Sequence, residues 1–268
     1  MNSLNPFKNI YLNRDLIYQF TNREIQTRHK GTRLGAIWSL ISPLMMLGLY
    51  LIVFGLIFGG RFGILPEENF LDFALALFLG LSLFNVIADS IAASPLIIVS
   101  QPNFVKKVVF PLEILSISKI ISSFYFSMLS ILIVVMIAPF THSKIHFSII
   151  LVPIILIPLA MIALGISWAL ASLGVFYRDL NQVTPFINTA LMYGSAIVYS
   201  PRKIPGFIQN VLHLNPILII VDQTRSIMLW NQSPDYKLII QLYITSIAIL
   251  TLGYLIFIRL RPFLAEAV

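Results

Sequence analysis

The chain has 268 residues, of which 58% are hydrophobic and only 11% charged, with a net charge of +7 and no cysteine. Soluble domains carry roughly 25% charged residues, so a water-facing globule is excluded, and the missing cysteines exclude disulfides, zinc–thiolate sites and iron–sulfur clusters. About six membrane spans with short loops fill this length and leave no room for an appended catalytic domain of ~100 residues.

The first 35 residues hold six basic and two acidic residues. The first apolar run is already of span length, so no cleavable signal peptide is expected. Leu12, Leu16 and Phe20 recur at i, i+4 and i+8, with Ile17 beside them and Arg14, Arg23 and Arg28 off the stripe. That spacing predicts an amphipathic helix for the membrane interface, serving as a simple anchor or as a docking surface for a partner. Residues 1–35 therefore read as a cytoplasmic interface segment and 36–268 as a transmembrane domain.

Ala36–Phe58 is 23 residues without a charge, and a bilayer core ~30 Å thick takes about 20 helical residues to cross. Further spans are expected at Phe73–Ile91, Ile120–Phe140, Phe147–Phe176, Val183–Ser200 and Leu238–Ile258. The second carries Asp89 near its end, and the fifth is short and contains Pro185. Tyr50, Phe54, Phe58 and Phe62 repeat every four residues, which on a helix makes one slowly drifting face about 18 Å long. His142 and His146, four apart in a polar loop, read as a solvated turn, and no metal site is expected. Between spans 5 and 6, Ile217–Val221 is too short to cross, and Pro201, Pro205, Gly206 and Pro216 punctuate the segment. Short helices dipping part-way into the membrane are expected there; a full crossing would raise the count to seven.

Orientation follows from the basic residues, which favour the cytoplasmic side. On six spans, twelve Lys and Arg fall on the side of the termini, including Lys106, Lys107, Lys119, Arg178, Arg259 and Arg261. Six fall opposite: Arg61, Lys144, Arg202, Lys203, Arg225 and Lys237. Both termini are expected in the cytoplasm.

The chemistry-bearing motifs are absent. There is no G-x-x-x-x-G-K-[ST] phosphate loop, no G-x-S-x-G elbow and no H-E-x-x-H pair, so neither nucleotide binding nor hydrolysis by those devices is encoded. Charges inside the apolar segments are few, namely Asp89 and the nearby Asp222 and Arg225. An ion-driven carrier needs several ionisable groups deep in its spans, so the driving energy is expected from elsewhere.

Four local sequences stand in a fixed order along the chain. Arg23-Glu24-Ile25 and Arg28-His29-Lys30-Gly31 precede Leu34-Gly35-Ala36-Ile37-Trp38, with Pro43 a turn later. Gln101-Pro102-Asn103-Phe104-Val105-Lys106-Lys107 leads to Phe110-Pro111-Leu112-Glu113 after span 2. Span 4 runs out into Phe176-Tyr177-Arg178-Asp179-Leu180, and Leu214-Asn215-Pro216 stands before span 6, followed by Asp222 to Arg225. Taken together these resemble the transmembrane subunit of ABC-type polysaccharide exporters, the family that moves O-antigen, capsule and teichoic acid chains, over nearly the whole chain.

The resemblance implies an all-α integral membrane fold with six spans, an N-terminal interface helix and short re-entrant helices between spans 5 and 6. It implies a homodimer around a continuous channel, two separate ATPase subunits that hold ATP and Mg, and a lipid-linked polysaccharide as substrate. Membrane lipid surrounds such a chain, and nucleic acid is not expected as a partner. Contact with the ATPase is carried over to Arg23, Arg28, Gln101, Phe104, Lys106, Lys107 and Glu113, and external gating to Pro205, Asn215, Pro216, Asp222 and Arg225. Arg178 and Asp179 would lie at the cytoplasmic entrance, as a local ion pair, a contact for the ATPase or a contact for a lipid-linked phosphate. The Tyr50–Phe62 stripe either packs against a neighbour or lines the channel, where flat rings let sugar rings slide without fixed hydrogen bonds. Outside the leading reading stand export of capsule, teichoic acid, a drug or a lipid, and, in a different class, a membrane-embedded glycosyl- or acyltransferase.

Overall fold

A computed structural model describes residues 11–106, 110–141, 147–200, 212 and 214–267. Lys107, His142, His146 and Pro205 lie outside the described residues, as do the side chains of Val105 and Lys106. Among the described residues the chain is helical, with no strand. Among the described residues, five helices are long and apolar enough to cross a membrane: Gly35–Ile57, Phe70–Ile97, Glu113–Phe140, Ser148–Phe176 and Tyr236–Phe263.

The interface segment is helical as the spacing predicts, over α1 (Arg14–Thr27). Its buried face is turned by about one residue from the Leu12–Leu16–Phe20 stripe. Ile17 and Thr21 are buried while Leu12 is 67% exposed. Two contacts dictate this turn. Ser118 donates to the Ile17 carbonyl at 3.3 Å, and Lys119 pairs with Glu24 at 3.4 Å.

The first apolar helix has two parts. Helix α2 (Trp38–Tyr50) contains Pro43, and a wider π-helical stretch follows over Leu51–Ile57. Such a widened turn relocates side chains relative to an ideal helix. The helix stops at Gly59, whose φ of 58° suits glycine. Gly60 lies so close to Phe73 that a Cβ there would come within 2.6 Å of the ring. The following loop is held by Glu68, whose carboxylate accepts from the Phe62 and Gly63 amides at 2.8 and 2.7 Å.

Helix α3 (Phe70–Ile97) is the central pillar. A capping box starts it: Asn69 accepts from the Asp72 amide and Asp72 accepts from the Asn69 amide. Of its most apolar stretch 78% is buried, against 11% for Gly35–Ile57, so the first helix sits on the outside of the bundle. Helix α4 (Pro102–Lys106) is a short element before α5 (Glu113–Ile137). The latter begins seven residues before the expected Ile120. Its first turns carry Glu113 and Lys119, charges that the fold pairs with Arg261 and Glu24.

Helix α6 (Val152–Phe176) packs between α3 and the last long helix. Small residues set these distances, as is usual where helices pack in lipid. Ser94 and Ser167 share a hydrogen bond of 2.7 Å between α3 and α6. Gly165 of α6 and Gly253 of α9 (Tyr236–Leu260) bring two backbones into direct contact.

Helix α7 (Leu180–Gly194) covers the expected fifth span but is only 15 residues long. It starts earlier than Val183 and ends at Gly194, just before Ala196 at φ 48°. On length alone it is not a span. It returns along α3, where Asn188 donates to the Ala88 carbonyl at 3.1 Å. Helix α8 (Pro216–Met228) is a 13-residue, largely buried element before α9.

The described ends of the chain meet. Arg261 pairs with Glu113 at the start of α5, and α1 docks on Ser118. The short α10 (Leu264–Ala267) packs on α4 and α6. Ile17, Phe110, Leu115, Trp168, Phe257 and Leu264 form a core of their own here. We call this the proximal end and the opposite one, near the start of α3, the distal end.

Candidate functional site

At the proximal end, Phe20 of α1 is 5.4 Å from Phe104 of α4 and 5.3 Å from Phe110, and those two are 4.8 Å apart. The Arg23 guanidinium lies 5.2 Å over the Phe20 ring. Gln101 and Phe104 are half-buried, and Gln101 closes the turn into α4 by accepting from the Phe104 amide at 3.1 Å. The interface helix and α4 are thus one packed unit. Glu113 points inward: its carboxylate meets Arg261 at 2.7 Å and its carbonyl accepts from the Trp168 indole at 3.4 Å. A hydrogen bond to a charged group is worth about 1.5–3 kcal/mol, so Glu113 ties the tail to the start of α5.

Arg28 does not join that unit. Its guanidinium lies 4.2 Å over Phe126 and 3.7 Å from Asp89, whose carboxylate also accepts from Ser123 at 3.1 Å. These groups stand at the mouth of a cleft of about 270 Å³ between α2, α3 and α5. Its upper wall is Tyr50, the first ring of the aromatic stripe.

From there the stripe rises in three rings. Tyr50 and Phe54 are 6.3 Å apart, Phe54 and Phe58 6.0 Å, and Phe58 is 72% exposed. Phe62 leaves the series. The helix has ended before it, and its ring is buried against Phe73 at 4.9 Å and Trp230 at 5.9 Å. The four-residue repeat presumed a helix that glycines 59 and 60 interrupt.

At the distal end Phe62 belongs to a second assembly, built on Arg225. This arginine is 1% exposed. It donates from Nε to the Ala76 carbonyl and from Nη2 to the Ile197 carbonyl, both at 2.7 Å, and stacks 4.6 Å from Phe62. Gly80 makes room for the guanidinium, since a Cβ there would overlap it. An arginine stays protonated at neutral pH, so the socket holds a cation. Asn215 caps α8 by accepting from the Ile217 amide at 2.9 Å, with Pro216 at the first helical position. Its amide donates at 3.0 Å to the Gly194 carbonyl and the Ser195 hydroxyl. Arg225 and Asn215 therefore both bind α8 to the turn after α7.

The sequence pattern of the ABC-2 type transporter family matches residues 15–229. The chain belongs to that family. It is 24% identical over 253 residues to an O-antigen export system permease protein RfbA of Klebsiella pneumoniae, covering 94% of each chain. It is 21% identical over 263 residues to the RfbA permease of Myxococcus xanthus, covering 97% of this chain and 98% of that one. It is also 26% identical over 206 residues to the inner membrane transport permease YadH of Escherichia coli, covering 70% and 75%.

Membership makes this ABC-2 chain a multi-pass membrane permease. Its relatives are transport permeases, which does not favour the membrane transferase alternative. In it, Arg178 and Asp179 are exposed at the turn between α6 and α7; neither has an ion-pair partner among the described residues. Sequence reasoning missed the Arg225 socket and the Arg28–Asp89 mouth. An arginine and an aspartate beside apolar runs were the available signals, and Gly80 was not singled out.

Proposed function

We infer that the chain is the membrane-spanning, non-hydrolysing subunit of an ATP-driven exporter that moves a lipid-linked polysaccharide, with O-antigen the first candidate, out across the cytoplasmic membrane. The observation that carries this reading is similarity to O-antigen export permeases over 94–97% of the chain, rather than over one shared motif. In this reading two copies enclose the channel, and two separate ATPase subunits hold ATP and Mg at the proximal end, against the packed unit of α1 and α4.

Six crossings are the arrangement we favour. Both described ends lie at the proximal end, which requires an even number, and five helices qualify by length. The sixth passage would be α7 with its following turn. It leaves the end of α6 and reaches the level of Ala76, where Arg225 is bound to both Ala76 and Ile197. On α3 that level lies ~31 Å from Ile97 at 1.5 Å per residue, enough for the hydrocarbon core. With basic residues concentrated at the proximal side, that side faces the cytoplasm. Helix α8, with Asn215, Pro216, Asp222 and Arg225, then forms a re-entrant outer gate. Tyr50, Phe54 and Phe58 form the sliding face, which the low burial of the first helix leaves free for a second copy and the polymer.

The test is hydrolysis by purified chains. The subunit alone should turn over no ATP above background, and adding its ATPase should give activity that lipid-linked polysaccharide stimulates. Robust hydrolysis by a preparation free of the partner would remove the exporter-subunit reading.

A further inference from the structure

The cleft between α2, α3 and α5 shares Tyr50 with the sliding face, but its polar end is not accounted for by export. At about 270 Å³ it has roughly nine times a water's share of liquid volume, too much for a packing defect. Its polar groups are graded along one direction. At the mouth stand Arg28, His29 and Asp89. One turn of α3 further in, about 6 Å by helical rise, are Asn85 and, opposite it on α2, Ser42, both exposed. Beyond them the walls are Met46, Tyr50, Phe78 and Leu81. Ser42 and Met46 are exposed on the outer helix, so the cleft is open along its side.

The mouth has unused capacity of both signs. Arg28 and Asp89 are 3.7 Å apart, an ion pair but too long for a hydrogen bond between them. Arg28 offers five donors in a fork, and a carboxylate about four acceptor positions. Nε2 of His29 is shut off from solvent and has no hydrogen-bond partner. The pair cancels to no net charge, so an anion alone gains little there, whereas a group carrying both charges can satisfy each side.

We propose that this cleft is a binding site for a zwitterionic aminophospholipid of the surrounding membrane. The phosphate sits at Arg28 and His29 and the primary ammonium at Asp89. The glycerol ester carbonyls lie at Asn85 and Ser42, and one acyl chain lies along Met46, Tyr50 and Phe78. Depth agrees with chemistry. Arg28 and His29 precede the first apolar helix, which begins at Gly35, and Asp89, eight residues from the proximal end of α3, is paired with Arg28, so the mouth lies at the level of headgroups. Trp38 on the rim is the residue type that favours this level. The inference stands whether or not the chain exports polysaccharide.

The purified full-length chain, stripped of lipid in detergent, is offered an equimolar mixture of phosphatidylethanolamine, phosphatidylcholine and phosphatidylglycerol with identical acyl chains, and bound lipid is counted by native mass spectrometry. Phosphatidylethanolamine should be retained at one copy per chain, about tenfold over the other two, which a single charge-assisted hydrogen bond suffices to give. Phosphatidylcholine keeps the charge but lacks the N–H donors, and phosphatidylglycerol lacks the cation. Asp89→Asn should abolish the preference. Ser42→Leu, which fills the cleft without touching the ion pair, should abolish retention itself, and Arg259→Gln, at an exposed position of α9, should change neither. Equal retention of the three lipids overturns the proposal, as does a preference that survives both cleft substitutions. Stronger retention of a polyprenyl phosphate offered in the same mixture also overturns it, since that ligand has no ammonium for Asp89.

Discussion

Arg225→Lys is the most informative single change, because it keeps a long basic side chain and removes the fork. A lysine ammonium is a compact point charge on a flexible stem and cannot hold the Ala76 and Ile197 carbonyls in the geometry that Nε and Nη2 achieve at 2.7 Å. Losing one hydrogen bond from a charged donor costs about 1.5–3 kcal/mol. Weakened stacking on Phe62, 4.6 Å away, acts in the same direction. The cost falls on the contact between α8 and the turn after α7, so it should read out as local opening rather than loss of fold. The chain has no cysteine, so Ile197→Cys, at a fully buried position, gives a clean probe with a maleimide reagent. Where opening precedes labelling, the rate tracks the open population. A loss of 1.5–3 kcal/mol then raises that rate about 10- to 150-fold. Gly80→Ala should act likewise by pushing the guanidinium out of its socket. A cysteine at exposed Phe58 should label at the same rate in all backgrounds. If Ile197→Cys labelled no faster with Arg225→Lys than without it, Arg225 would not hold this end closed, and the outer-gate reading would lose its physical basis.

Gly253→Ala should destabilise the chain by at least the usual overpacking cost of about 1–3 kcal/mol, because the new methyl meets the Gly165 backbone; the check is thermal unfolding in detergent beside Gly194→Ala, where space is open. For Glu113 and Arg261 a double-mutant cycle with Glu113→Gln and Arg261→Met should give a coupling of about 1.5–3 kcal/mol, and a coupling near zero would show that the tail does not depend on the pair. Changing Phe54 and Phe58 together to Leu retains apolar character; surface polysaccharide per inserted protein should fall, at ~0.5–1.5 kcal/mol per ring lost, and undiminished export would mean that the rings only pack.

What the sequence made legible was what depends on long uncharged runs. Five of the expected spans have counterparts among the long apolar helices, because burying a helical backbone in lipid needs little beyond length and hydropathy. Their ends were less legible. Glu113 and Lys119 looked like loop charges, yet both lie inside α5, neutralised by Arg261 and Glu24 from distant parts of the chain. Within the expected fifth span the helix ends at Gly194, earlier than Ser200, and nothing local marks Ala196 as a left-handed residue. Periodicity placed the Leu12–Phe20 stripe on the N-terminal helical segment, and it could not show that Ile17 and Thr21 beside the stripe are the residues that bury, since partner side chains on α5 decide that. Phe62 was assigned by a repeat that the glycines at 59 and 60 break. The Arg225 socket joins residues 149 positions apart, a contact that no local pattern encodes.

The central claim is that this permease moves a lipid-linked polysaccharide when an ATPase partner drives it. Its most direct test is a proteoliposome containing the chain, its partner and lipid-linked polysaccharide on the outer leaflet, with the ATPase sites facing outward. Polymer that an external glycosidase can digest should fall with time after ATP is added, and only when both chains are present. Loss of accessibility at the same rate without ATP, or none with it while the partner hydrolyses ATP in response to the substrate, would contradict the account.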